Sequence, residues 1–208
     1  MRAGFGPSPD LTVIAAAEHD DDPRVRAAAL GARVRAGADA GPAWRTACGD
    51  PDPIVRRRAA ELAPRVADAD PTTLAALASD ADASVAEATA WALGELAVDP
   101  DDTAAVVTTL EHLARDHEDA LVREAAVAAL GARGAGLATI LHACGDRPAV
   151  RRRAVLALAP FEGPEVTAAL TRALDDRDWQ VRQAAEDLLG VDAAAGGPEG
   201  SDAGSDAG

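Results

Sequence analysis

The chain has 208 residues, of which 48% are hydrophobic and only 2% aromatic, and it contains no Tyr, Lys or Asn, so all 20 basic residues are Arg. No apolar run approaches the roughly 20 residues that cross a bilayer, which excludes a membrane-spanning protein. The formal net charge of -15 would repel a phosphate backbone at long range and disfavours nucleic acid as a partner. We therefore expect a soluble protein whose core is built mainly from small side chains.

The amino-terminal segment, residues 1–8, is predicted to be a short lead-in to the folded domain. The opening sequence MRAGFGPSPD has one Arg but no apolar stretch before its first acidic residue, so it predicts no secretory signal. A cytoplasmic location is the resulting expectation.

A phrase built on the pattern Asp-Pro-x-Val-Arg, followed by an Ala-rich run, recurs six times along the chain with some of its positions changed. The valines of these copies are spaced 30, 30, 37, 28 and 31 residues apart, which leaves room for two helices and their turns in each period. The unit is therefore predicted to be a helical hairpin. The six copies are centred on Val25, Val55, Val85, Val122, Val150 and Val181.

Each copy has the apolar spacing of an amphipathic helix. The positions four and seven residues after each valine return to the same helix face, and they are mostly Ala. The upstream half of each period carries its own apolar spacing, as in LTVIAAA from Leu11 and VTAALTRAL from Val166. Helices with such small faces are expected to approach one another closely.

These repeats resemble the HEAT repeats, in particular the bacterial subtype named after the phycobilisome lyases. The segments that carry the resemblance are PEVTAALTRALDDRDWQVRQAAEDLLG, residues 164–190, and LVREAAVAALG, residues 121–131. The resemblance covers residues 9–190 and implies an all-α fold, a right-handed α-solenoid of about six antiparallel helix pairs without β-sheet. In this family the second helix of each pair lines the concave face.

The resemblance also implies a ladder between repeats, in which Asp before the second helix pairs with Arg near the start of that helix. The third copy has Ala86 in place of the Arg, and the fifth has Arg147 in place of the Asp, so we expect the ladder to be weakest there. The expected pairs are Asp22 with Arg26, Asp52 with Arg56, Asp119 with Arg123, and Asp178 with Arg182.

Two further regularities concern the ends of the array and its internal symmetry. ALGAR occurs at residues 29–33 and again at 129–133, and ACGD at 47–50 and again at 143–146, which indicates that a block of three repeats was duplicated. Residues 191–208 contain no large apolar residue beyond Val191 and are predicted to form a disordered acidic tail.

Two runs of three arginines and one tryptophan are the candidate partner-binding residues. Arg lies two residues after the valine in copies two and five, opposite the apolar face, so Arg57 and Arg152 are expected to reach solvent on the concave side. They and the adjacent Arg58 and Arg153 could bind carboxylate or phosphate groups, or could merely balance nearby acids. Trp91 lies on the flank of the apolar face and either fills a gap between repeats or forms an exposed binding residue.

The sequence provides little for catalysis or for a cofactor. The four histidines lack the spacing of a zinc site, so we expect no metal, no cofactor and no catalytic residues. Cys48 and Cys144 occupy equivalent places in two repeats, about 30 Å apart by helix-packing distances, and are expected to be structural thiols that do not pair.

The function predicted from the sequence is a non-enzymatic scaffold or adaptor that binds a protein or peptide of acidic or mixed character on its concave face, as a monomer. One alternative is a nucleic-acid-binding HEAT-like protein, although neither half of the chain is basic. The other is an enzyme related to the bilin lyases or to deoxyhypusine hydroxylase, for which the chain lacks the required clusters of His and Glu.

Overall fold

The computed structural model describes the backbone of residues 10–195 and the side chains of residues 10–190. Over this range the chain forms twelve α-helices in six pairs and no strand, which confirms the predicted all-α solenoid. The first helices of the pairs are α1 (Leu11–Ala17), α3 (Gly41–Cys48), α5 (Pro71–Ala76), α7 (Pro100–Asp116), α9 (Leu137–Ala143) and α11 (Pro164–Ala173). The second helices are α2 (Pro23–Arg35), α4 (Pro53–Leu62), α6 (Ala83–Glu95), α8 (Ala120–Ala132), α10 (Pro148–Ala157) and α12 (Trp179–Ala195).

Aspartate caps define where most of the second helices begin. The side chain of Asp52, for example, accepts a hydrogen bond of 2.9 Å from the backbone N–H of Ile54, and Pro53 occupies the first turn, where its missing N–H costs nothing. The same cap recurs at Asp22, Asp82, Asp119 and Asp178. The repeated Asp is therefore primarily a helix start signal.

The second helices pack directly on one another along the array, while the first helices contact one another less. The array consequently curves towards the second helices, which form its inner layer. Five of the six repeat valines are buried among these helices, with exposures of 0–1%, whereas Val25, in the first of the described pairs, is 36% exposed. Trp44 is fully buried, and its indole N–H donates to the carbonyl of Ala59 at 2.9 Å.

The last helix extends beyond the predicted limit of the array. Helix α12 runs through Gly190 to Ala195, so the boundary expected at residue 190 does not coincide with the end of a helix. Residues 1–9 and 196–208, which contain the predicted lead-in and most of the predicted acidic tail, lie outside the described residues.

A ladder of arginines connects the repeats, but its partners differ from those expected. Each Arg pairs with an aspartate 23–25 residues further along the chain, in the loop of the next repeat, rather than with the Asp before its own helix. The cause is that the expected aspartates already cap their helices, while the next loop places a second carboxylate against the guanidinium. The observed pairs are Arg26 with Asp50, Arg56 with Asp80, Arg123 with Asp146, and Arg151 with Asp176.

The predictions for the two irregular copies have different outcomes. The third copy does lack the pair, because Ala86 is fully buried and carries no charge, and the facing loop position is occupied by His117. The fifth copy keeps it, since Arg151 bonds both oxygens of Asp176 at 2.7 and 2.8 Å. Replacement of Asp by Arg147 removes a side-chain cap and leaves the ladder intact. In the last repeat, Arg182 donates only to the backbone carbonyl of Asp176 at 2.7 Å, so the expected pair with Asp178 is not formed.

Candidate functional site

A groove of about 650 Å³ crosses the inner layer and is lined by residues of α4, α6, α8 and α10. We call it the inner groove. Its floor consists largely of the small residues Ala88, Ala125, Ala128 and Ala129. Because these side chains are short, the groove is open even though the helices beneath it are closely packed.

Glycine allows the two central helices of the inner groove to approach. A Cβ atom placed on Gly94 of α6 would lie 2.9 Å from the Cβ of Ala129 of α8, closer than side chains tolerate. The approach brings the exposed face of α6 beside that of α8. Side chains from both helices therefore contribute to one continuous surface.

Two large apolar side chains are exposed in the middle of the inner groove. Trp91 of α6 is 51% exposed and Leu121 of α8 is 57% exposed. About half of the Trp91 side chain remains uncovered, which filling a gap between repeats does not account for. An exposed tryptophan and an exposed leucine in one concavity have the composition of a binding hot spot.

The arginines of the inner groove are already engaged by glutamates. Arg57 Nε lies 3.0 Å from Glu61 Oε1 one turn along α4, and Arg153 Nη2 lies 3.3 Å from Glu124 Oε1 on the neighbouring helix α8. These pairs favour the interpretation that the arginines balance nearby acids. They neutralise the two ends of the inner groove.

The carboxylates of Glu87 and Glu95 flank Trp91 on α6. They lie four residues before and four residues after the tryptophan, so each is one helical turn from the indole on the same face. Neither is within 4.0 Å of a cationic group of the described residues, and both line the inner groove. The centre of the inner groove is therefore acidic around an exposed aromatic ring.

The structure brings together only some of the candidate residues. Arg57, Arg153 and Trp91 line the inner groove. Arg58 is half-buried and turned away from it, with Nη1 2.9 Å from Glu61 and Nη2 close to Gly31 of α2. Arg152 is half-buried on α10 and does not line the inner groove, so Arg57 lies opposite Arg153 rather than Arg152.

Sequence reasoning missed Leu121, Glu87 and Glu124. Leu121 directly precedes a repeat valine, so a large apolar residue stands where the helix faces solvent, and this mismatch with the apolar spacing was a usable signal. Glu87 and Glu124 occupy the same position in their copies as Arg57 in copy two. A comparison of that position between copies would have identified glutamates in the two central copies, where copy two has an arginine.

Neither cysteine is placed for nucleophilic chemistry. Burial raises the pKa of the Cys48 thiol to about 12 and that of Cys144 to about 11, so both are thiols at neutral pH. Among the described residues, no group of three His, Cys, Asp or Glu is arranged to hold a metal ion. None of the described helices is long and apolar enough to cross a bilayer.

A second cavity of about 540 Å³ lies between α1, α2 and α3. Four of the charged groups that line it are paired within the fold, because Arg26 binds Asp50 and Arg33 binds Glu18. The carboxylate of Asp39, which also lines it, accepts the backbone N–H of Gly41 at 3.2 Å.

Comparisons with known proteins agree with this architecture. Residues 131–190 match the family model described as HEAT repeats, whereas comparison with curated proteins gives no significant match. An engineered protein solved by a structural genomics consortium superimposes with a TM-score of 0.64 at 22% identity, over 88% of this chain and 98% of that chain. YibA of Escherichia coli superimposes with a TM-score of 0.61 at 16% identity, over 92% of this chain and 66% of that chain.

A designed armadillo repeat protein in complex with the peptide (KR)4 is also similar in structure. It superimposes with a TM-score of 0.61 at 18% identity, over 88% of this chain and 99% of that chain. Likeness at such low identity shows the fold and not the function. The chain is thus a helical-repeat solenoid, and its residues 131–190 match the family model of the HEAT repeats.

Proposed function

We propose that this protein is a non-enzymatic binding module that holds a peptide, or an extended segment of a partner protein, in the inner groove. The observation that carries the proposal is the exposure of Trp91 and Leu121 within one concave surface. A tryptophan that is half exposed in a concavity gains apolar contact when a partner covers it.

The dimensions of the inner groove suit an extended peptide. It crosses four second helices, which at about 10 Å per helix span roughly 30 Å. An extended chain rises about 3.3 Å per residue, so roughly nine residues fit along it. The designed armadillo repeat protein of similar fold, which was solved with a bound peptide, gives a structural precedent for this mode.

A nucleic acid fits the inner groove less well. Its lining contains four glutamates and two arginines, and both arginines are paired with glutamates. A phosphate backbone would meet net negative charge at the centre of the inner groove, around Glu87 and Glu95. The same lining offers no cluster of His and Glu for chemistry of the hydroxylase type.

Selection of random nine-residue peptides displayed on phage, with the full chain as bait, tests the proposal. Peptides recovered on the wild type should bind Trp91→Ala at least about tenfold more weakly, as expected for loss of a hot spot. Trp179→Ala is the matched control, because Trp179 is 64% exposed and does not line the inner groove. Failure to recover any peptide that depends on Trp91 would refute the proposal.

A further inference from the structure

We infer that the inner groove selects a peptide segment in which a basic side chain, Arg or Lys, lies within a few residues of an apolar side chain, with the cation on the face of Trp91. The inference rests on the proposed function and specifies the chemistry of the bound segment. It reverses the acidic or mixed partner that the arginine runs suggested.

The charges around the indole ring favour a cationic ligand. Glu87 and Glu95 lie one turn on either side of Trp91, and neither has an ion-pair partner among the described residues. A cation on the ring face would be attracted by the ring quadrupole and by both carboxylates. No other cationic group of the described chain is within ion-pair distance of either carboxylate, so a ligand would supply it.

The net charge also differs between the ends and the centre of the inner groove. At one end Glu61 pairs with both Arg57 and Arg58, at 3.0 and 2.9 Å. At the other end Glu124 pairs with Arg153 at 3.3 Å. The excess negative charge is therefore confined to the centre, around Trp91. A complementary segment needs its basic residue in the middle, and its flanking residues can be neutral.

An apolar surface adjoins the acidic centre. Leu121 is 57% exposed, and Ala125 and Ala128 continue its surface along α8. Trp91 and Leu121 lie on neighbouring second helices about 10 Å apart, a distance that an extended peptide spans in about three residues. An apolar residue a few positions from the cation can thus cover Leu121 while the cation lies on Trp91.

Other occupants lack this complementarity. The last residues of this chain, 196–208, contain three acidic and no basic residues, so they would be repelled by the acidic centre. A single-stranded nucleic acid could stack on an indole, but its phosphates would face Glu87 and Glu95. Both occupants are nevertheless outcomes of the experiments below.

The test compares peptides selected on the wild type with peptides selected on Glu87→Gln/Glu95→Gln. We expect the wild type to enrich Arg or Lys within a few residues of an apolar residue, and the double variant to keep the apolar preference but lose the basic one. Glu118→Gln/Glu162→Gln is the control with the same charge change, because both residues are exposed and neither lines the inner groove. It should select the same peptides as the wild type.

Direct titration of one selected peptide then measures the pairing. Replacing its basic residue by Gln should weaken binding to the wild type by about five- to thirtyfold, in the range of a cation over tryptophan with additional charge attraction. The same replacement should change binding to Glu87→Gln/Glu95→Gln less than about twofold. Trp91→Leu should lose the preference for the basic residue, whereas Trp91→Phe should retain part of it.

The possible failures of the two proposals are distinguishable. Peptides that depend on Trp91 but show no basic preference, or keep it in the double glutamate variant, would overturn this inference and leave the proposed function standing. Failure to recover Trp91-dependent peptides would overturn both. Trp91-dependent binding of a single-stranded oligonucleotide, or Trp91-dependent self-association in sedimentation, in place of peptide binding would also overturn this inference.

Discussion

Arg56 binds the carboxylate of Asp80 through two parallel hydrogen bonds, from Nε at 2.6 Å and from Nη2 at 2.9 Å. Its third nitrogen, Nη1, donates to the backbone carbonyls of Asp50 and Pro51 at 2.8 and 2.9 Å. The carboxylate of Asp80 also accepts the backbone N–H of Asp82, the cap of the next helix, at 2.9 Å. One guanidinium therefore connects the loop of its own repeat to the loop of the next repeat.

Breaking this connection should destabilise the array. Arg56→Ala and Asp80→Asn are each expected to lower the free energy of unfolding by about 1–3 kcal/mol, because charge-assisted bidentate bonds in a mostly buried setting are lost. The double variant should cost less than the sum of the two, as measured by urea denaturation. Arg65→Ala, at an exposed position, is the control and should change stability by less than about 0.5 kcal/mol. Strict additivity would show that the pair is not coupled.

The ladder should also make stability depend on pH in acid. Hydrogen bonds from Arg26, Arg56, Arg123 and Arg151 hold the pKa values of the facing aspartates below their ordinary value of 3.8 in the folded state. Those aspartates are Asp50, Asp80, Asp146 and Asp176.

A folded pKa below the unfolded one gives stability that is present above the unfolded pKa and lost as pH falls through the folded pKa. The urea midpoint is therefore expected to be level between about pH 5 and 7 and to fall below about pH 4. Asp80→Asn should decline less steeply in acid than the wild type. A midpoint unchanged down to pH 2.5 would contradict this account.

The junction between the third and fourth repeats has a different connection. There Arg133, at the end of α8, donates to the carbonyls of Leu93 and Leu96 at the end of α6, both at 2.6 Å. Arg33 occupies the same place in the other ALGAR segment but pairs with Glu18. The arginine of the ALGAR segment thus binds backbone carbonyls at a helix end in one copy and a carboxylate in the other.

Removal of the two hydrogen bonds from Arg133 should lower the stability of the array. Arg133→Ala is expected to lower the free energy of unfolding by about 1.5–3 kcal/mol, because two carbonyls lose a charged donor. Arg133→Lys should recover only part of the loss, since an ammonium lacks the planar fork. Arg115→Ala, exposed on α7, serves as the control and should be neutral. Equal effects of Arg133→Ala and Arg115→Ala would show that the hydrogen bonds of Arg133 to these two carbonyls do not stabilise the array.

Close helix packing predicts that replacing two glycines by alanine changes stability in opposite directions. A Cβ on Gly131 of α8 would lie 2.7 Å from the Cβ and 2.8 Å from the Cα of Ala157, so Gly131→Ala must displace α10 and should cost about 1–3 kcal/mol. A Cβ on Gly190 of α12 would meet nothing within 4 Å. Gly190→Ala should therefore raise stability by about 0.5–1 kcal/mol through helix propensity. Thermal or urea denaturation of both variants checks the opposite signs.

The sequence alone determined the repeat, the pairing of helices and the small buried face. These follow from local rules. The side chain of Asp52 caps the start of a helix, and the spacing from Val55 to Ala59 places both residues on one helix face. The burial of Trp44 was predictable too, because it takes the place of an isoleucine in another repeat.

Tertiary structure decided everything that depends on what the neighbouring repeat covers. Helical spacing gives the direction of a side chain on one helix but not the surface that faces it, so the exposure of Trp91 and the pairing of Arg153 with Glu124 were not predictable. The partner of Arg56 was missed for the same reason. Two aspartates, Asp52 and Asp80, were available to it, and only the stacking of repeats brings the distant one within hydrogen-bond distance while the near one caps its own helix.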